Sequence, residues 1–411
     1  MADLLKFDFK VWILAAGRLL SEIGTGFTLF YAPIFFVNQV GLSSTMVGLA
    51  LGSGSVSGVA GRFIGGQGVD SPKWGRRKIL LASAAISVIA DVVLSLTTNF
   101  STLVLGNLLM GFGIGMYWPA TEAAIIDLTK PEERNEAFAI TRLADSLGLS
   151  LGVVLGGALI SNSGNYRSLF VIDGISFAIF FAVIYFAIAE TYKFQAQTTV
   201  NRGNGWYEAI RDRALMVFVA VNILFTIYLS QVQSTMPLYL KNFVQTDTSI
   251  GFSEKVISGL FTWHIVFAAL CQLPTAWLLN RFSRIVGLSF SMSIWGLAFV
   301  LVWITGMMTQ GTLAWAIVTL GVMSLGMVTY TPIASGLVAD LAPESLRGVY
   351  LSINSQCWAI GYFIGPPLGG WALDHPQFTP YFWLLCAASI VPGIVVLRYL
   401  RQLMATRKAV I

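Results

Sequence analysis

Charged and amide side chains that fall inside long apolar runs are the places where this sequence could do chemistry. A charge in the middle of a membrane-spanning helix costs about 2.5–3.5 kcal/mol on insertion scales, so it ordinarily faces a cavity or a partner. Arg18 and Glu22 stand four apart on one helical face and can pair, as a structural pair or as a coupling site. Arg142 and Asp145, three apart, could bridge each other, again either inside a substrate site or as an internal structural pair. Asn107, Gly111, Gly115, Trp118 and Glu122 follow at spacings of four, four, three and four, which puts an amide, an indole and a carboxylate on one face. A carboxylate withdrawn from water holds a proton more readily. Glu22, Glu122 and Asp145 are therefore candidates for carrying one, although Glu122, five residues before Asp127, could instead be a polar lip. His264, beside Trp263, is of a type that titrates near neutral pH. A lone buried histidine is more often simply hydrogen-bonded.

The elements that must hold these groups are set by composition. Of 411 residues, 56% are hydrophobic and 11% charged, where a soluble domain carries about a quarter of its residues charged. So few charges cannot cover a water-facing surface of this size, and the apolar excess must face lipid. A helix needs about 20 apolar residues to cross the hydrocarbon core. Runs between polar breaks predict twelve spans, near 11–38, 43–69, 78–97, 101–127, 136–161, 167–189, 214–240, 254–280, 284–306, 310–340, 347–373 and 379–400. The first run contains Arg18 and Glu22 and has no small-residue cleavage site, so it reads as a span and not as a cleaved signal.

A formal charge of +5 could suggest a nucleic-acid partner. The positions of the basic residues argue otherwise: with the N-terminus inside, most of the 25 lysines and arginines fall in segments on one face of the membrane. The positive-inside rule then makes both termini cytoplasmic. The polar stretch from Glu190 to Arg213 reads as a cytoplasmic linker, dividing the chain into bundles at 1–190 and 214–411 with a connection at 191–213. Cys271, Cys357 and Cys386 all lie in apolar runs and form no disulfide framework or metal spacing. No phosphate-binding loop, nucleophile elbow or metal cluster is present, so no enzyme, cofactor or metal is expected.

The two halves resemble each other. Asp127 through Gly157 aligns without a gap on Asp340 through Gly370, pairing Arg134 with Arg347, Gly148 with Gly361, Gly152 with Gly365, and Gly156-Gly157 with Gly369-Gly370. Tyr117 and Pro119 fall on Tyr330 and Pro332, and Pro33, Asn38 and Gly41-Leu42-Ser43 fall on Pro237, Asn242 and Gly251-Phe252-Ser253. A shift of six helices preserves orientation, so the expected fold is all-α: twelve transmembrane helices in two six-helix bundles related by a parallel repeat. Such repeats place a substrate site near the bilayer midplane between the halves. The glycine stripes would allow close helix packing.

With these features the chain resembles the major facilitator superfamily over essentially its whole length. The segment Gly66-Gln67-Gly68-Val69-Asp70-Ser71-Pro72-Lys73-Trp74-Gly75-Arg76-Arg77-Lys78 is similar to that family's loop between the second and third helices, with five residues from Asp70 to Gly75 where the family usually has three. The resemblance implies a cytoplasmic latch made by Gly66, Asp70, Gly75, Arg76, Arg77 and Asp127, with Asp70 at the N-terminus of the eleventh helix and Arg77 paired with Asp127. Gly365-Pro366-Pro367-Leu368-Gly369-Gly370 resembles a motif of the multidrug-exporter branch, and so does Gln231 through Leu240. The arginine that the family often carries on its fourth helix, four residues before a glycine and tied to proton coupling, is replaced here by Asn107, ahead of Gly111. In such a fold the cavity would be lined by Arg18, Glu22, Trp118, Glu122, Arg142, Asp145, Gln231, Thr235, His264, Tyr330, Asn354 and Trp358, while Asp91 and Asp173 lie on peripheral helices and read as structural. The implied protein is a monomeric, proton-coupled exporter of amphipathic or drug-like small molecules in a bacterial inner membrane. Uptake of a nutrient such as a sugar or organic anion, or a non-transporting sensor or lipid-handling protein, are the alternatives.

Overall fold

The computed structural model describes residues 9–130, 134–190, 202–246, 249–279, 281–343 and 346–410. Among them the secondary structure is helical, apart from an isolated bridge between Gln245 and Ile250. Two compact units divide the chain, Met1–Ala196 and Gln197–Ile411. The first holds α1 (Phe9–Leu29), α2 (Ala32–Asn38), α3 (Ser44–Val69), α4 (Gly75–Ser95), α5 (Phe100–Leu128), α6 (Arg134–Ser163) and α7 (Arg167–Ala187). The second holds α8 (Arg202–Arg211), α9 (Arg213–Gln233), α10 (Thr235–Asn242), α11 (Glu254–Leu279), α12 (Arg284–Met307), α13 (Thr312–Leu341), α14 (Arg347–Asp374), α15 (Thr379–Ala388) and α16 (Ile390–Val410).

Eleven helical segments of the described residues are long and apolar enough to cross a membrane. The twelfth expected span is α14, a helix of 28 residues. At about 1.5 Å per residue it is ample for a ~30 Å core. Its hydropathy is diluted by Ser352, Asn354, Ser355, Gln356 and the Pro366-Pro367 pair. Within the expected linker, residues 191–201 lie outside the described residues and Arg202–Arg211 folds as α8, which buries Gly205 and Ala209, with Gly205 against Leu346 and Val349, and leaves Trp206, Tyr207 and Ile210 exposed.

Local chemistry sets where the helices stop, and it does so twice. α1 and α9 each run into a proline two or three residues past a break, Pro33 in α2 and Pro237 in α10. A proline has no amide hydrogen, and its ring crowds the carbonyl four residues earlier. Each short helix is followed by a left-handed glycine, Gly41 at φ +80° and Gly251 at φ +82°, a conformation that a side chain would strain. A serine then caps the next helix: Ser43 accepts from Met46 N at 3.2 Å, and Ser253 from Val256 N at 3.4 Å.

Packing repeats the same scheme. α1 lies on α6 and α7, α3 on α5, and α4 on α5 and α7; in the second unit α9 lies on α14 and α16, α11 on α13, and α12 on α13 and α15. The glycine stripe makes the first of these seams. A side chain at Gly148 or Gly152 would strike the backbone of α1 at Leu19 or Ile23, and one at Gly361 or Gly365 would strike Thr226 or Ser230 of α9. Small residues let helix backbones approach where lipid supplies no hydrophobic drive for association.

Candidate functional site

In the first unit the buried charge centres on Arg18, which is 2% exposed. Its guanidinium reaches across to α6, with Nε donating to Asp145 Oδ1 at 2.7 Å and Nη2 to Asp145 Oδ2. This two-pronged bond suits a planar guanidinium and a carboxylate. The same guanidinium lies over the Trp118 ring at 5.0 Å and the Tyr117 ring at 5.6 Å, within cation–π reach. Glu22, one turn along α1 and half-buried, is in electrostatic range of both Arg18 and Asp145.

Arg18 therefore takes its partner from α6 and not from Glu22 on its own helix. Asp145 likewise pairs with Arg18; the side chain of Arg142 lies outside the described residues. Glu122 departs from the picture of a desolvated carboxylate: it is exposed, and Arg62 of α3 feels its charge. The stripe that carries it is largely a helix seam, because side chains at Gly111 and Gly115 would meet the backbone of Gly54 and Gly58 on α3.

The corresponding place in the second unit is uncharged. Tyr330 donates to Asn222 Oδ1 at 2.6 Å, and Asn222 Nδ2 to Asn354 Oδ1 at 2.8 Å, joining α13, α9 and α14. Gln231 and Thr235, expected as cavity lining, are 1% and 2% exposed. Gln231 Nε2 donates to Gly365 O at 2.8 Å and Thr235 donates to Gln231 Oε1, so both are spent on the seam with α14. Tyr330 is equally buried, at 1%. His264 is 4% exposed and sits between Ser324 Oγ at 2.7 Å and Leu320 O at 3.1 Å. Asn354 and Trp358 are half-buried, with Trp358 stacked on Tyr362.

The loop between α3 and α4 is built around Arg76. Its Nε stands 2.9 Å from Asp127 Oδ2, its Nη1 donates to Val69 O at 2.6 Å, and Asp70 Oδ1 lies 4.0 Å away. The partner of Asp127 is thus Arg76. Arg77 points elsewhere, donating to Tyr185 O at 2.6 Å. Adjacent helical residues are about 100° apart around the axis, so only one of the two arginines can face α5. Gly75 has φ +71°, and the Glu190 carboxylate occupies the space a side chain would need. Glu190 accepts from the backbone of Arg76 at 2.9 Å and of Arg77 at 3.2 Å, satisfying two of the free amides that open α4. At Gly66 a side chain would meet open space.

Sequence reasoning did not find Glu190, which ends the last run before the linker, nor Asp212. Asp212 caps α9 by accepting from Ala214 N at 2.9 Å, and also accepts from Tyr350 at 2.7 Å. An acidic residue just ahead of an apolar run is the signal that could have marked Asp212. Glu190 carried no such signal, because its partners lie 113 and 114 residues away.

Comparison with known proteins agrees with this architecture. The family model described as Major Facilitator Superfamily matches residues 14–246 and 244–410. YttB of Bacillus subtilis, an uncharacterized MFS-type transporter, is 26% identical over 88% of this chain and 88% of its own. The multidrug resistance protein MdtH of Aeromonas hydrophila is 24% identical over 91% of this chain and 90% of its own. A Na(+), Li(+), K(+)/H(+) antiporter of Planococcus maritimus is 25% identical over 89% and 90%. Among solved structures, the nucleoside transporter NupG superposes with a TM-score of 0.79 at 14% identity, covering 95% of this chain and 99% of that one. The fold, the duplicated helix packing and the family match across both halves place this multi-pass membrane chain in the Major Facilitator Superfamily.

Proposed function

We propose that the protein is a proton-coupled exporter of amphipathic or drug-like small molecules, working by alternating access in a bacterial inner membrane. The observation that carries this reading is the buried Arg18–Asp145 ion pair with Glu22 beside it. Among the described residues Glu22 has no ion pair of its own, and a carboxylate next to a pair already balanced in charge suits a proton that comes and goes. Trp118, against Arg18, supplies an aromatic wall. The name of the MdtH relative supports a drug-like cargo. Because Arg18 is committed to Asp145, it offers no free charge to an organic anion, which weighs against anion uptake. The loop around Arg76 is read as a cytoplasmic latch, and in that reading Asp70→Asn should favour the inward-open state.

The test is drug-dependent proton flux in proteoliposomes. Glu22→Gln is expected to reduce it to the level of protein-free vesicles while drug binding persists; full flux in that variant would remove Glu22 from the coupling role. A second reading, exchange of monovalent cations for protons, draws on the name of the Planococcus maritimus relative. Proton flux driven by sodium, lithium or potassium without any drug would favour it.

A further inference from the structure

A second acidic group lies deeper in the first unit, away from the Arg18 pair. Asp91 of α4 and Asp173 of α7 are each 1% exposed. Asp91 packs over Gly174, where a side chain would press on its Cβ, so its carboxyl stands close enough to Asp173 for the two to interact electrostatically. Neither oxygen of Asp91 receives a hydrogen bond, and Asp173 Oδ1 receives none either.

Hydrogen bonding to the pair is sparse. Thr28 Oγ1 donates to Asp173 Oδ2 at 3.3 Å, and has a nearer acceptor in Thr25 O at 3.1 Å. Ser176, beside the same carboxyl, donates to the backbone Asp173 O at 2.7 Å. Among the described residues three of the four carboxyl oxygens are left without a donor, and a carboxyl that holds a proton is the form that tolerates this. The facing charges bring no relief. On α1 the nearest is Glu22, also acidic, and Arg18 beyond it is held by Asp145. On α5 the Tyr117 hydroxyl is unpartnered, and on α3 Arg62 answers to Glu122. At the far end of the α4–α7 seam Arg167 is occupied by Ser95 O and Thr97 O. Two like charges this deep in a low-dielectric interior cannot both persist unpaired.

We propose that Asp91 and Asp173 form a proton-binding site between α4 and α7, two carboxyls that together hold at least one exchangeable proton. Uptake converts one carboxylate and a proton from water into a carboxyl, and release reverses it. The site involves none of the groups assigned to coupled export, and it stands whether or not export is proton-driven.

The experiment is infrared spectroscopy of the purified full-length protein in lipid, with the aspartate side chains isotopically labelled. At neutral pH the wild type should show a label-shifted band from a protonated carboxyl, which disappears as the pH is raised. Asp91→Asn and Asp173→Asn should each lose or shift that band, while Asp340→Asn should retain it, since Asp340 lies in the second unit, paired with Arg284 and half exposed. No labelled protonated-carboxyl band in the folded wild type overturns the proposal without recourse to any variant. So does a band that survives in both Asn variants. The measurement uses no transported compound, so its outcome is independent of the flux test.

Discussion

Arg18 and Asp145 are 127 residues apart in the chain, yet each is the other's main partner. Removing one partner of a buried pair leaves an uncompensated charge, which costs about 3–5 kcal/mol. Asp145→Asn should therefore lower the thermal unfolding midpoint sharply, and Arg18→Lys should do so as well, because an ammonium cannot reproduce the two-pronged bond. The glycines of the α3–α4 loop are not equivalent. Gly75→Ala should destabilise, meeting both a positive φ and the Glu190 carboxylate, whereas Gly66→Ala should be neutral in a thermal melt. The sequence marked Arg18, Glu22 and Asp145 as costly groups in apolar runs, and that much was legible from residue type. Which of them touch was not, since i+4 spacing offers Glu22 to Arg18 just as plainly as the fold offers Asp145. The same limit assigned Asp127 to Arg77 in place of its neighbour Arg76.

At the scale of elements, α4 begins with two amides held by a carboxylate from the segment after α7. Glu190→Gln removes the charge while keeping the shape, and should cost about 0.3–1 kcal/mol, read as a small drop in midpoint that shrinks with added salt. Gly152→Leu should be far worse, forcing α6 off α1, while the same change at Gly348, where a side chain meets open space, should pass almost unnoticed in the melt. Hydrophobic length located the spans to within a few residues, except that the last helix runs on to Val410, ten residues past the expected end at 400. It did not separate α1 from α2, α9 from α10, or α15 from α16, because an apolar run with a proline reads equally well as one bent helix. It also missed α8, in which Gly205 and Ala209 are the buried positions among the described side chains, too slight a periodicity to stand out in a polar stretch.

For the molecule as a whole, the repeat extends to its ion pairs. Arg284 pairs with Asp340 between α12 and α13, as Arg76 pairs with Asp127 between α4 and α5. Their surroundings differ: the side chains are 44% and 51% exposed in the second unit against 13% and 19% in the first. A double-mutant cycle on Arg284 and Asp340 should return only about 0.2–1 kcal/mol, the range of exposed pairs, and the cycle on Arg76 and Asp127 should return more. The duplication was readable because Asp127 and Asp340 share a gapless alignment. The pairing was not, since the loops preceding Arg76 and Arg284 differ in sequence. From the charge bias we expect both termini in the cytoplasm. A C-terminal fluorescent-protein fusion is expected to glow and an alkaline-phosphatase fusion to stay inactive.

The interruptions ahead of Pro33 and Pro237 carry a mechanical consequence. Each proline leaves one carbonyl, that of Leu29 or of Gln233, without its helical amide. Bending at that point costs no hydrogen bond to the proline itself, so the junctions of α1 with α2 and of α9 with α10 are the places in those helices where a pivot is cheapest. Both units thus own the same pre-cut joint at the same register. Replacing both prolines by alanine would weld the joints, and should slow turnover while leaving the affinity for cargo in place.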